Sequence, residues 1–126
     1  MKYLTLEEML QLHFAVIEDF GGSHGVRDEG RLKSVVLAPA QEVFSAEQYQ
    51  TVHEKAAVYL RNIIGDLPFA DGNKRTGVTV AGVFLFRNGV KLTARPKELE
   101  DFAVKIAIDH LEIAEIAVWL QQHTID

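Results

Sequence analysis

The sequence predicts an all-α bundle of at least six helices, and three observations carry that reading. Apolar residues recur at helical spacing through nearly the whole chain, with little two-residue alternation. Cap and stop residues bracket the periodic segments. The most apolar stretch, Val78 to Phe86, is apolar on all sides, as a central buried helix would be. Its β-branched content also permits a strand.

Thr5-Leu6-Glu7-Glu8 reads as a capping box, with Leu4 and Met9 spaced for a hydrophobic staple. Leu6, Met9, Leu10, His13, Phe14 and Ile17 form the stripe of a first helix, which Gly21 stops. A glycine-rich loop, Gly21 to Asp28, follows. Asp28 caps a second helix through Arg31, Leu32, Val35, Val36 and Leu37, and Pro39 ends it. A third helix is expected from about Ala46 to Gly65, with Val52, Ala56, Tyr59, Leu60 and Ile63 facing inward. Pro68 and Gly72 break the pattern. A fourth helix should run from about Asn73 to Asn88, closed by Gly89. Val90 to Ala94 is a short extended piece. Pro96 suits the first turn of a fifth helix, with Glu98, Glu100 and Asp101 near its N-terminus. Leu111 to Gln122 gives a sixth, through Ile113, Ile116, Ala117 and Leu120.

A chain of 126 residues fits one domain, residues 1–126. At 48% apolar and 25% charged it has enough apolar surface to fold and is not a disordered tail. The absence of cysteine excludes a disulfide scaffold, a thiolate zinc site and a cysteine nucleophile. No apolar run approaches the ~20 residues of a membrane span. No signal-peptide core follows Met1, so a cytoplasmic location is expected. The net charge of −5 argues against direct nucleic-acid binding.

That net charge hides an asymmetry. From Gly72 to Lys97 there is no acid, while Lys74, Arg75, Arg87, Lys91, Arg95 and Lys97 make the segment +6. With the total at −5, the rest of the chain is −11. The segment is either a solvated face or an anion site.

The segment Leu67 to Gly77 favours the anion site. It joins the third helix to the fourth and puts Gly72, Asn73, Lys74 and Arg75 at the start of the most apolar helix. A helix N-terminus presents free N–H groups and partial positive charge, and therefore binds phosphate. Acids are favoured there, whereas two cations cost stability unless an anion sits among them. Asp71 is the one carboxylate of that stretch able to hold a Mg²⁺ that bridges phosphates. The plainer alternative is a turn at Asp71-Gly72 and an N-cap at Asn73, with both cations in water. The segment lacks the glycine spacing of a Walker loop and the ligand alternation of an EF-hand.

Phe69, Asp71, Gly72, Asn73, Lys74 and Arg75 resemble the signature of the Fic/Doc family, His-x-Phe-x-(Asp/Glu)-Gly-Asn-(Gly/Lys)-Arg, matching six of its seven fixed types. Chain length, the Phe20-Gly21-Gly22 loop and the helix ending in Phe84 to Gly89 extend the resemblance over the whole chain, to its short death-on-curing branch. The resemblance implies a compact Fic-fold bundle with a central buried helix and a short flap loop. It implies a toxin that transfers a phosphate, or a nucleotidyl group, from ATP to a hydroxyl of a translation protein, specifically an elongation factor. By resemblance Asp71 holds Mg²⁺ and is catalytic. Gly72, Asn73, Lys74 and Arg75 bind the phosphates, and Phe69 anchors the loop. Gly22, Ser23, His24 and Gly25 form a target-docking flap. An antitoxin would fold into a groove between helices, leaving a small apolar patch exposed in its absence.

One position departs from the signature. The histidine that serves the family as general base falls at residue 67, which is Leu67 here. Leucine has no titratable group, and loss of a general base removes about 10²–10⁴ of rate. Asp66 is adjacent, but neighbouring side chains point in different directions. For the five histidines at 13, 24, 53, 110 and 123 a structural or surface role is expected, with His24 the one placed on the flap. The chain is therefore expected to bind nucleotide and antitoxin better than it catalyses. The alternative is a non-catalytic Fic-fold module that binds nucleotide or protein.

Overall fold

Local caps set where each helix begins. In the computed structural model, which describes residues 1–126, the helices are α1 (Leu6–Phe20), α2 (Glu29–Leu37), α3 (Val52–Asp66), α4 (Asn73–Arg87), α5 (Pro96–Asp109) and α6 (Ile113–Gln122). A 3-10 turn (Ala38–Ala40) and four two-residue strands complete the list: β1 (Glu42–Val43), β2 (Ala46–Glu47), β3 (Lys91–Leu92) and β4 (Thr124–Ile125). At α1 the capping box forms as expected. Glu8 donates its amide to Thr5 Oγ1 at 3.1 Å, and Thr5 donates its amide to Glu8 Oε1 at 3.0 Å. Leu4 and Met9 are both buried in the core. Asp28 Oδ1 accepts the Arg31 amide at 3.0 Å and starts α2.

The third helix begins at Val52, six residues later than the apolar spacing suggests. Phe44 and Ser45 take positive φ, 52° and 65°, and turn β1 back antiparallel onto β2. Thr51 then caps α3 by accepting the Glu54 amide at 3.1 Å. Lys55, fully buried, ties the hairpin down: its Nζ donates to Pro39 O and to Glu47 Oε1, each at 3.2 Å. The extended piece at Val90 to Ala94 finds its partner beyond α6, where β3 pairs antiparallel with β4.

Six consecutive residues of α3, Lys55 to Leu60, are buried, so this helix shares the centre of the fold with α4. It packs chiefly against α4 and α6. Gly77 lets α4 come close: a Cβ there would lie 3.3 Å from side-chain carbons of Leu60 and Ile64. Phe84 and Leu85 of α4, Ile106 of α5 and Leu120 of α6 close the core around Tyr59 and Ile63. In the α1 stripe, Met9, His13 and Ile17 turn inward while Leu10 and Phe14 stay exposed.

Two expectations about stability arise here. Thr76 is fully buried, and its hydroxyl is the one buried side-chain polar atom without a hydrogen-bond partner. Thr76→Val keeps the shape and removes that orphan, so it should leave the melting midpoint unchanged or raise it, by up to about 1 kcal/mol of stability. A drop of that size would mean the hydroxyl has a partner.

Glu8 is held at a pKa of about 2, below its ordinary 4.5, first by the Arg87 guanidinium and then by the Thr5 amide. A depressed carboxylate stabilises the fold above its unfolded pKa and loses that effect as pH falls toward its folded one. Stability should therefore decline between about pH 4.5 and pH 2, and Glu8→Gln should flatten that part of an acid-denaturation curve.

The same pair begins to resolve the basic segment. Arg87 pairs with Glu8, Arg95 with Glu98 at 3.4 Å, and Lys97 with Asp101 at 3.1 Å. Lys74 and Arg75 have no acidic partner within the chain.

Candidate functional site

The loop between α3 and α4 is built almost entirely from bonds within the chain. Its start is Leu67, which ends α3 in the left-handed conformation at φ 51° and ψ 57°. That conformation is unfavourable for a side chain with a Cβ. Arg27 holds it there: Nε donates to Leu67 O at 2.6 Å and an Nη to Asp66 O at 2.8 Å. These bonds satisfy two of the carbonyls that a helix end leaves free. Leu67 is 46% exposed and lines a cavity instead of joining the core.

The Gly21 to Asp28 segment is more than a connecting loop. Val26 forms an antiparallel bridge with Phe69. Ala70 donates to Gly25 O at 3.0 Å, and Arg27 and Asp28 both donate to Pro68 O, at 2.8 and 3.1 Å. Its backbone thus pairs with the loop through a single bridge and its flanking bonds. Gly22 comes so close to Asp71 that a Cβ there would lie 2.7 Å from Oδ2. Ser23 donates its amide to that oxygen at 3.1 Å. His24 leans away, stacked on Phe14 and paired with Glu18 at 3.0 Å.

Phe69 is fully buried, in accord with an anchoring role. His13 of α1 lies flat on its ring, centroids 3.9 Å apart, and its Nε2 sits 2.9 Å from Asp71 O. The Asn73 carboxamide brackets Phe69 from the other side. Oδ1 accepts the Phe69 amide at 3.1 Å and Nδ2 donates to Phe69 O at 3.0 Å. The carboxamide thus makes both of these bonds within the loop, and Asn73 is not the N-cap of α4. Gly72 caps α4 at φ +72°, where a Cβ would also lie 2.9 Å from Ile17 Cδ1.

The exposed part of the site is an anion-ready helix end. The amides of Asn73, Lys74 and Arg75 donate to nothing in the chain. Every other helix carries an acid in its first turn, and α4 carries none. The Arg75 guanidinium lies 4.0 Å from the centre of the exposed Phe20 ring, a cation–π contact that aims it along the cleft. Asp71 faces this end. The amides of Ser23 and then Gly72 hold its carboxyl below the usual range, so it stays ionised.

Two clefts flank the loop and share Asp71, Gly72, Asn73 and Lys74. One, of about 440 Å³, opens between the ends of α3 and α5 and is lined by Leu67, Arg61 and His110. The other, of about 570 Å³, lies between α1, α4 and α5 and is lined by Phe20, Arg75, Val78, Thr79 and Glu100. No group of three acidic or histidine side chains converges to hold a metal ion. Asp71 alone fits a Mg²⁺ that takes its other ligands from water and phosphate. Asp66 does not substitute for the base absent at position 67, because it faces Arg61 at 3.3 Å and Arg31 at 3.9 Å.

Two residues of this site, His13 and Arg27, are not apparent from the sequence. His13 lies in the apolar stripe of α1, where a histidine reads as a core residue. Nothing marks Arg27, which acts on a carbonyl 40 positions away.

Comparison with known proteins agrees with this geometry. Residues 3–85 match the model of the Fic/DOC family. The chain is 33% identical over 122 residues to "Protein kinase doc" of Escherichia phage P1, covering 97% of this chain and 95% of that protein. It is 35% identical over 121 residues to "Toxin Doc" of Mycolicibacterium smegmatis, covering 94% and 91%.

Proposed function

Because the chain belongs to the Fic/DOC family, we propose that it is a Doc-like toxin whose α4 N-terminus grips the phosphates of ATP. The single observation behind this is the first turn of α4, with three free amides, Lys74, Arg75 and no acid. Lys74 lines both clefts and so borders the phosphate site whichever cleft takes the nucleoside. Gly72 allows the close approach of backbone to ligand. Asp71 would carry a Mg²⁺, which neutralises charge between adjacent phosphates when bound.

In the transfer itself, a target hydroxyl oxygen bonds to the γ-phosphorus, the bond to the bridging oxygen breaks, and ADP leaves. Transfer of a nucleotidyl group would use the same grip on a different phosphorus. The hydroxyl proton must go to a base, and Leu67 cannot accept it. This chain therefore binds better than it transfers. The target is a translation protein, an elongation factor by analogy with the branch, docked at the Gly22 to Gly25 flap. An antitoxin segment would cover the exposed apolar side chains of α1, Leu10, Phe14 and Phe20. A cytoplasmic site of action follows from that target. No helix is long and apolar enough to cross a membrane.

Calorimetry with ATP and Mg²⁺ tests the reading. Binding should occur in the parent chain and weaken about 10- to 100-fold in Lys74→Ala, the loss of a charged hydrogen-bond donor. Asp71→Ala should bind ATP with its Mg²⁺ dependence gone. A parent chain with no affinity for ATP would leave a helical domain without an anion site.

A further inference from the structure

We propose that His13 is the positioning residue of the site: from α1 it fixes the backbone from which the Asp71 carboxylate projects. The inference rests on the nucleotide reading above and extends it to a residue outside the signature. His13 is buried, on the helix that also brings Phe20 to Arg75. Its ring stacks on Phe69 at an interplanar angle of 4° while Nε2 reaches Asp71 O. One imidazole therefore touches both ends of Phe69-Ala70-Asp71. A carbonyl can only accept, so Nε2 must carry the proton.

The bonds around this contact leave those three residues little freedom. Asn73 holds both backbone groups of Phe69, and Gly25 O holds the Ala70 amide. No other side chain bonds to the Asp71 backbone, so its carbonyl depends on His13. With that carbonyl fixed, the Ser23 and Gly72 amides meet the two carboxylate oxygens at 3.1 and 2.8 Å. Release of the carbonyl would let the peptide rotate and carry the carboxylate away from the end of α4.

Two variants separate the functions of the ring. His13→Phe keeps the stack and loses the donor, whereas His13→Gln keeps a donor and loses the stack. Calorimetry should find Mg²⁺–ATP affinity about tenfold weaker in His13→Phe, the worth of one hydrogen bond, and within about threefold of the parent in His13→Gln. Inorganic phosphate without Mg²⁺ contacts only the α4 amides and cations, and its affinity should hold in both. Mg²⁺–ATP binding in His13→Phe equal to the parent overturns the proposal. So does an equal loss of phosphate and Mg²⁺–ATP affinity, which a general loosening would produce.

A measurement on the parent chain needs no variant to fold. Long-range proton–nitrogen NMR should show His13 protonated at Nε2, and a proton on Nδ1 alone would remove the bond on which the proposal stands. If the parent chain fails to bind ATP, the nucleotide reading fails, while the tautomer still reports on the His13 contact itself.

Discussion

Leu67→His should raise transfer to the target hydroxyl by about 10²–10⁴, the range a positioned general base supplies. The rest of the site is already assembled: the free amides at the start of α4, Lys74, Arg75 and the oriented Asp71 carboxylate do not depend on residue 67. The side chain at 67 points into the cavity because Arg27 and the end of α3 fix its backbone, not because leucine prefers the place. Histidine is several-fold more tolerant of left-handed backbone than an ordinary side chain, so the substitution should not lower the melting midpoint. ATP affinity should stay the same. A phosphotransfer assay in a translation extract compares the two proteins, and growth arrest on induction of Leu67→His but not of the parent gives an independent readout. Equal, robust activity in both would mean that another group takes the proton.

Asn73→Ala should cost about 2–4 kcal/mol of stability in the complete absence of nucleotide. The change strips partners from the Phe69 amide and carbonyl at once, and each buried orphan costs about 1–3 kcal/mol. Phe69 lies at the centre of the loop, so His13 and Asp71 should lose their register with it. Chemical denaturation without ligand reads the effect directly. If Asn73 were mainly a phosphate ligand, its loss would weaken ATP binding and leave ligand-free stability unchanged.

The comparison of these two positions shows what kind of information a motif carries. The signature marks Asn73 as a phosphate ligand, whereas the contacts within the chain show its carboxamide building the loop through both backbone groups of Phe69. Chemical type alone cannot separate those roles, because a carboxamide donates and accepts in either one. Leu67 is the opposite case. Its departure from the signature is plain in the sequence, and the structure adds that the adjacent Asp66 carboxylate is engaged by Arg61 and Arg31.

The helices and their caps were legible for a local reason. Thr5 with Glu8, Asp28 and Pro96 act within one turn, so residue order is enough to place them. The late start of α3 was not legible, because apolar spacing continues through the hairpin at Glu42 to Glu47. There, backbone turning at Phe44 and Ser45 and the buried Lys55 override periodicity. The centrality of α3 was hidden as well, since Lys55, Ala57 and Val58 lie outside its apolar stripe and look unremarkable until neighbours close over them.

By itself the sequence determined the all-α class, the basic loop that leads into α4, and the leucine at position 67 of the signature. All of these are written in residues near one another in the chain. Tertiary structure alone decided which of the six cations remain free of acids at the α4 end, since Arg87 is matched by Glu8, 79 positions away. It also decided that His13 and Arg27 belong to the site. Each of those side chains satisfies backbone carbonyls that only folding brings within reach, so neither leaves a local pattern in the sequence.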